Sequence, residues 1–519
     1  MEKNEPHKDG NLRPVGDIRT EKKGPKVPSN NAEKLRVFFS EQSRAEIKDN
    51  FEKSEVGIDM FLIACHYGIL NICQNVIKYF PDMLNQVDIE GCNAAMHAAC
   101  GGNIELLELL IKNGVDPKHR SNCGSNILHS ACMESDLEMC THIIQHYPDM
   151  LNQVDNAGWN SALYTAKEGS VEVLELLVKN GVDHTLKDIH GCNILHLACC
   201  GSKFKICQYI IKHYPDMLSQ VDYGGQNAAF YAAKGGNIEI LELLKINGVD
   251  VKLQSNDGMN ILHMACMNAK LEISQYIIEH YPDMLTKMDN EGRNVALYAA
   301  KGGNLEILKL LLRNGVDPTL QSNSGINILH MACMNAQLEM CRNIIKHYPD
   351  MLNQVSNEGW NAIICAAHGG STEILELLVK IGLDPMHKVN NGRNILHIAC
   401  MKSNVAMCRH IINHYPEMLD QVDNNGWNAA ICTALEGNVQ VLNLLVENGL
   451  NPMQKSPGGI NILHVACLKS KLEMCKHIIQ HYPDMLNEID NEGRNAAIYA
   501  AMGGDVDVLN LLAEHGVRP

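Results

Sequence analysis

Twenty cysteines and 24 histidines in 519 residues raise metal coordination, disulfide formation and nucleophilic catalysis as the first chemical questions. Thirteen of the cysteines fall on two recurring positions. One closes an Ala-Cys pair (Cys65, Cys132, Cys199, Cys266, Cys333, Cys400, Cys467), and the other lies eight residues later (Cys73, Cys140, Cys207, Cys341, Cys408, Cys475). No C-x2-C pair has a partner pair at zinc-finger spacing, and recurrence at core spacing is what small buried hydrophobes show. The expectation is free structural thiols, which persist in a reducing compartment. Twelve histidines are His129, His146 and their equivalents. A metal site needs imidazoles that converge, whereas equivalent positions two stacked units apart are separated by roughly 20 Å. The acidic segments VDNEG, VDNAG and VDNNG lack the twelve-residue spacing and terminal Glu of a calcium loop.

No nucleophile elbow, phosphate-binding glycine loop or carboxylate pair stands apart, because nearly every polar residue recurs copy after copy. An active site is singular, so the sequence predicts no catalytic residue, no metal site and no cofactor.

The elements that carry these residues repeat. Asn126 to His129 read NILH, and the motif returns with its histidine at 196, 263, 330, 397 and 464, always 67 residues on. A second motif, G-x-N followed by small residues, opens at Gly91, Gly158, Gly225, Gly292, Gly359, Gly426 and Gly493 with the same interval. The two interleave at 33 and 34 residues, and a degenerate copy opens at Gly57, which gives fourteen units. Each unit predicts a helix, a sharp turn, a second helix and an extended hairpin. Asparagine two residues after the opening glycine is a good N-cap. In the second series a glycine (Gly102, Gly169 and equivalents) ends the first helix as a left-handed residue would. The leucine-rich second helix stops at Gly114 and its equivalents, or at the proline of HYPDML, which cannot continue a helix. Two short helices cannot bury both apolar faces alone, so neighbouring units must stack.

These motifs resemble the ankyrin repeat, a 33-residue unit whose first helix opens with G-x-T-P-L-H-x-A-A. Here G-x-N-I-L-H-x-A-C and G-x-N-A-A-(Met/Leu/Phe/Ile)-x-A-A fall on that pattern over about nine-tenths of the chain. Asn replaces Thr, proline is missing from every copy, and histidine stands only in alternate units. The resemblance implies an all-α repeat solenoid with β-hairpin loops, a stack of about fourteen ankyrin-type repeats in alternating 33- and 34-residue units. It further implies that the motif histidine ties adjacent loops by hydrogen bonds, and that the protein binds other proteins.

The domain reading is a polar disordered tail at 1–31, an N-terminal capping helix at 32–56 and repeats over 57–519. The last unit carries no polar terminal repeat, so the expectation is that the native chain is longer or that this end is frayed or paired. With 44 Lys and Arg against 60 acidic residues the net charge is −16, which argues against binding nucleic acid, since that needs clustered positive charge. No run of 18 apolar residues and no signal peptide is found. The expectation is a soluble protein of the cytoplasm or nucleus, with no membrane insertion.

Residues that differ between near-identical copies carry the functional signal. Between the opening glycine and the Asn cap the second series reads Cys92, Trp159, Gln226, Arg293, Trp360, Trp427 and Arg494, which includes all three tryptophans. The resemblance places this position at the base of the hairpin, facing the concave groove. Trp and Arg are the residues most enriched at binding hot spots. The competing reading is that each tryptophan covers the next hairpin and stabilises the stack. Met133, Met267, Met334 and Met401 follow the first helix on the same face, and methionine is both adaptable at binding surfaces and a common gap-filler. The functional expectation is a non-enzymatic scaffold or adaptor that binds protein partners, several at once, through its concave face and hairpin tips. The alternative is the recognition part of a larger enzyme of ubiquitin-ligase or kinase type.

Overall fold

In a computed structural model of the protein, residues 55–518 are described. The tail expected at 1–31 and all of the capping segment up to residue 54 lie outside them, and positions 55 and 56 open the first described helix, Glu55–His66. The described residues carry 28 α-helices and seven short 3-10 turns and no strand. The chain divides into two units, residues 1–261 and 262–519. Within each, the helices follow in the pairs that the motifs predict, a first helix and then a second, and neighbouring repeats pack first helix against first helix. Among the described residues no helix is long and apolar enough to cross a membrane.

The first helix of a repeat is buried nearly all round. In Ile127–Met133 every residue but the last is buried, and Ala131 and Cys132 are small enough to let neighbouring helices approach. The second helix buries one stripe, such as Leu106, Leu107 and Leu110 in Ile104–Lys112, and leaves Glu105, Glu108 and Lys112 in water. Each fully buried leucine contributes about 1.5–3 kcal/mol relative to exposure.

Asparagine caps the first helices and does more. Asn327 Oδ1 accepts from the His330 backbone amide at 2.8 Å while its Nδ2 donates to Gln354 Oε1 of the next loop at 2.8 Å. Asn126, Asn193 and Asn394 reach Gln153, Gln220 and Gln421 in the same way. Threonine could cap but could not span that gap, which explains its replacement.

The turn between helices needs a left-handed residue. Gly169 and Gly236 supply it at φ 97° and 83° in the second series. In the first series the same turn is held by residues with a side chain, Ser135, Ser202, Ala269, Ala336, Ser403 and Ser470, at φ between 53° and 59°. The proline of HYPDML ends the second helix as expected and opens a 3-10 turn, as in Pro148–Met150.

The segments expected as hairpins form tight turns, with no strand among the described residues. In one tip Asp155 N donates to Trp159 O and Gly158 N to Asp155 O, both at 3.0 Å. Successive tips are tied by one backbone bond, Asn156 N to Cys123 O and Asn390 N to Glu358 O, each at 2.9 Å.

Candidate partner-binding surface

A buried carboxylate organises most hairpin tips of the second series. Asp155 Oδ1 accepts the amides of Ala157 and Trp159 at 2.8 and 2.9 Å, and its Oδ2 accepts the Tyr164 hydroxyl at 2.7 Å. Asp222, Asp289 and Asp490 repeat this with Tyr231, Tyr298 and Tyr499 at 2.6–2.7 Å. Buried carboxylates are tolerated when fully hydrogen-bonded, and here the bonds come from the chain's own turn and first helix. Burial pushes the Asp490 carboxyl up, but the bonds from Tyr499 and Arg494 outweigh it and hold it well below the ordinary range. The sequence contained the signal as a nine-residue Asp-to-Tyr spacing, visible only when copies are compared. Where the tyrosine becomes Cys365, the aspartate becomes Ser356. Where it becomes Cys432, Asp423 takes Arg393 Nε of the preceding loop at 3.2 Å.

The motif histidines stand behind these pairs. His129 Nε2 meets the Gln153 carbonyl at 3.1 Å, His196 that of Gln220 at 3.3 Å, and His330 that of Gln354 at 3.1 Å. His397 and His464 meet the carbonyls of Trp427 and Glu488 at 3.0 and 3.1 Å. These contacts bear out the loop-tying role. His129 and His196 also lie flat against Tyr164 and Tyr231, with ring centres 5.0 and 4.8 Å apart. Burial pushes the imidazoles of His129, His330 and His397 down to about 4 and that of His196 to about 3, so they are neutral near pH 7. The His–Tyr–Asp grouping is thus part of the scaffold, the aspartate committed to its own turn and first helix and the histidine Nε2 to the next loop.

The variable position sits on this tip, and its occupants differ in environment. Trp159 is 6% exposed, packed edge-on against Tyr164 with its Nε1 donating to Asp188 Oδ2 of the next loop at 3.1 Å and Lys167 over its face. That placement serves the stack. Trp360 and Trp427 are only half-buried. The positions matching Asp188 are Val389 and Ser456, so neither carboxylate is there to draw the indole inward. Trp360 lies edge-on to His368 with ring centres 5.4 Å apart.

Arg293 is turned down onto its own tip, with Nε 2.5 Å from Asp289 Oδ2, Nη1 3.3 Å from Glu291, and its guanidinium over Tyr298. Arg494 does the same with Asp490, Glu492 and Tyr499 but is more exposed. Met133, Met267, Met334 and Met401 are the last residues of their first helices, all half-buried. All 20 cysteines are free, and the two recurring positions face each other, with Sγ atoms 3.8 Å apart in Cys132–Cys140 and 3.6 Å in Cys333–Cys341.

Comparison with known proteins agrees with this architecture. The family model described as ankyrin repeats (3 copies) matches in overlapping stretches that together run from residue 60 to residue 519. The chain is 24% identical over 441 residues to transient receptor potential cation channel subfamily A member 1 of Homo sapiens, covering 75% of this chain and 39% of that protein. It is 22% identical over 399 residues to the NAD-dependent deacetylase sir2B of Dictyostelium discoideum, covering 75% and 42%. With the nuclear factor NF-kappa-B p105 subunit of Gallus gallus the identity is 25% over 258 residues, covering 48% and 26%. The chain spans less than half the length of each of these relatives. Family match, cap, turn and loop geometry agree, and the chain belongs to the ankyrin repeat family, whose repeats are protein-interaction modules.

Proposed function

We propose that this chain is a non-enzymatic scaffold or adaptor that holds protein partners on the face carrying Trp360, Trp427 and the methionines Met133, Met267, Met334 and Met401, and on its hairpin tips. The observation that carries this reading is the contrast among copies: recurring polar residues are spent on the stack, whereas Trp360 and Trp427 are half-exposed at a position that changes from copy to copy. Arg494 extends that surface, and Trp159 and Arg293 support the tips beneath it. The tips add a second signal. Most carry an asparagine whose amide reaches the preceding tip, as Asn357 Nδ2 does to Asn323 O at 2.9 Å. Two adjacent tips instead present Ile189 and Tyr223, 59% and 70% exposed.

The relatives include a deacetylase and a channel much longer than this chain, which supports the alternative that the repeats are the recognition part of a larger protein. Affinity capture on the immobilised chain, with identification of what is retained, tests the proposal. A reproducible set of proteins lost on Trp360→Ala or Trp427→Ala supports it. Hydrolysis of a nucleotide, ester or peptide by the purified chain, abolished by one point change, would overturn the non-enzymatic reading.

A further inference from the structure

The second helices of the first series end on a histidine that belongs to the scaffold. His146 Nδ1 lies 2.9 Å from the His142 carbonyl, and His414 and His481 stand at the same distance from the carbonyls of His410 and His477. A carbonyl only accepts, so Nδ1 carries the proton and Nε2 is left with its lone pair outward. A hydrogen bond that fixes the tautomer in this way is what metal-bound imidazoles use.

Four residues earlier on the same face the copies differ. They read His142, Tyr209, Tyr276, Asn343, His410 and His477. Residues four apart on a helix are neighbours, and the rings of His142 and His146 lie 4.3 Å apart, with those of His410 and His414 at 4.2 Å. Two imidazole nitrogens on one tetrahedral zinc ion lie about 3.3 Å apart, so a modest tilt of the rings brings the pair into position. A carboxylate from the neighbouring repeat faces two of the pairs. Glu108 Oε1 is 3.7 Å from His142 Nε2, and Glu376 Oε1 is 3.7 Å from His410 Nδ1. At the third pair the matching residue is Asn443, and His477 Nε2 has no hydrogen-bond partner.

We propose that His142, His146 and Glu108 form a binding site for a zinc-class divalent ion, with a second copy at His410, His414 and Glu376. As the side chains stand, no three such groups among the described residues close on one point. The ion closes the site by tilting the rings and drawing in the glutamate, which is largely exposed and free to swing. Two imidazoles, one carboxylate and water make the four-coordinate N/O set that zinc accepts. Because the glutamate comes from the adjacent repeat, the ion cross-links two second helices. The first site is the tighter, because Thr141 stands where Arg409 and Lys476 flank the other pairs with positive charge.

The test is equilibrium dialysis of the full chain against zinc chloride with metal counting, together with cobalt substitution and circular dichroism to verify the fold. Two ions per chain are expected, one lost in each of His142→Ala and His410→Ala. Glu108→Gln should weaken the first site by about tenfold or more, since removing a ligand costs at least what removing a ligand's support does. Asn443→Glu should raise the count to three. The cobalt spectrum should be that of a nitrogen and oxygen site. No retained zinc, a count unchanged in the folded double variant His142→Ala/His410→Ala, or an intense thiolate charge-transfer band would each overturn the proposal, the last by assigning the metal to cysteine.

Discussion

Asn327 shows how one side chain fixes two levels of structure. Its oxygen caps its own helix and its amide nitrogen holds the glutamine of the next loop, so local folding and repeat stacking depend on one residue. Asn327→Thr should keep the cap and lose the bridge, costing about 1 kcal/mol for the bond, because Gln354 Oε1 keeps its second donor, Gln321 Nε2 at 2.8 Å. Asn327→Ala loses the cap as well and should cost about 1 kcal/mol more. Denaturant midpoints of the two variants check this. A threonine variant as stable as the parent would show the bridge to be dispensable.

At the scale of the element, the turn between helices stores strain in one series and none in the other. Ala336 holds φ 55°, whereas Gly303 holds φ 78° at the matching turn. A residue with a Cβ in the left-handed region costs about 1–2 kcal/mol, and the added backbone entropy of glycine takes back about 0.5–1 kcal/mol. Ala336→Gly is therefore expected to stabilise by up to about 1 kcal/mol, read as a rise in thermal midpoint, and a fall would mean that the side chain supports the turn. This contrast marks what the sequence revealed. Asparagine caps, second-series glycines and the HYPDML proline were legible because local chemistry alone demands them. Ser135 and Ala336 were not, since the stack forces the turn on them. The Asp155–Tyr164 pair was hidden for a different reason, as two residues nine apart that meet only after the tip folds. The three tryptophans share one position of the tip in the sequence, but Trp159 parts from Trp360 because of a residue 29 positions on, Asp188 against Val389.

At the scale of the molecule, the buried histidines make stability depend on pH. His129, His330 and His397 are held at about 4 and His196 at about 3, whereas in the unfolded chain each titrates near 6.5. Between about pH 4 and pH 6.5 the unfolded chain therefore binds more protons, so stability rises with pH across that window. Acidification through it should remove up to about 1.4 kcal/mol per pH unit for each such histidine, with little further change from these groups above about pH 7. Thermal midpoints across this range check the slope, and a flat profile would mean that the imidazoles are not buried neutral.

Residues committed to the stack stand apart from residues free to meet a partner, and the tryptophans measure that division most directly. For Trp159→Ala, Trp360→Ala and Trp427→Ala, thermal midpoint and affinity for a captured partner should be measured side by side. Trp159→Ala should lower the midpoint, since removing a buried tryptophan costs about 3–5 kcal/mol. Trp360→Ala and Trp427→Ala should move it far less and weaken binding by about 2 kcal/mol or more, roughly 30-fold in Kd. A large fall in midpoint with unchanged affinity for Trp360→Ala and Trp427→Ala would place those side chains in the stack and contradict the assigned surface.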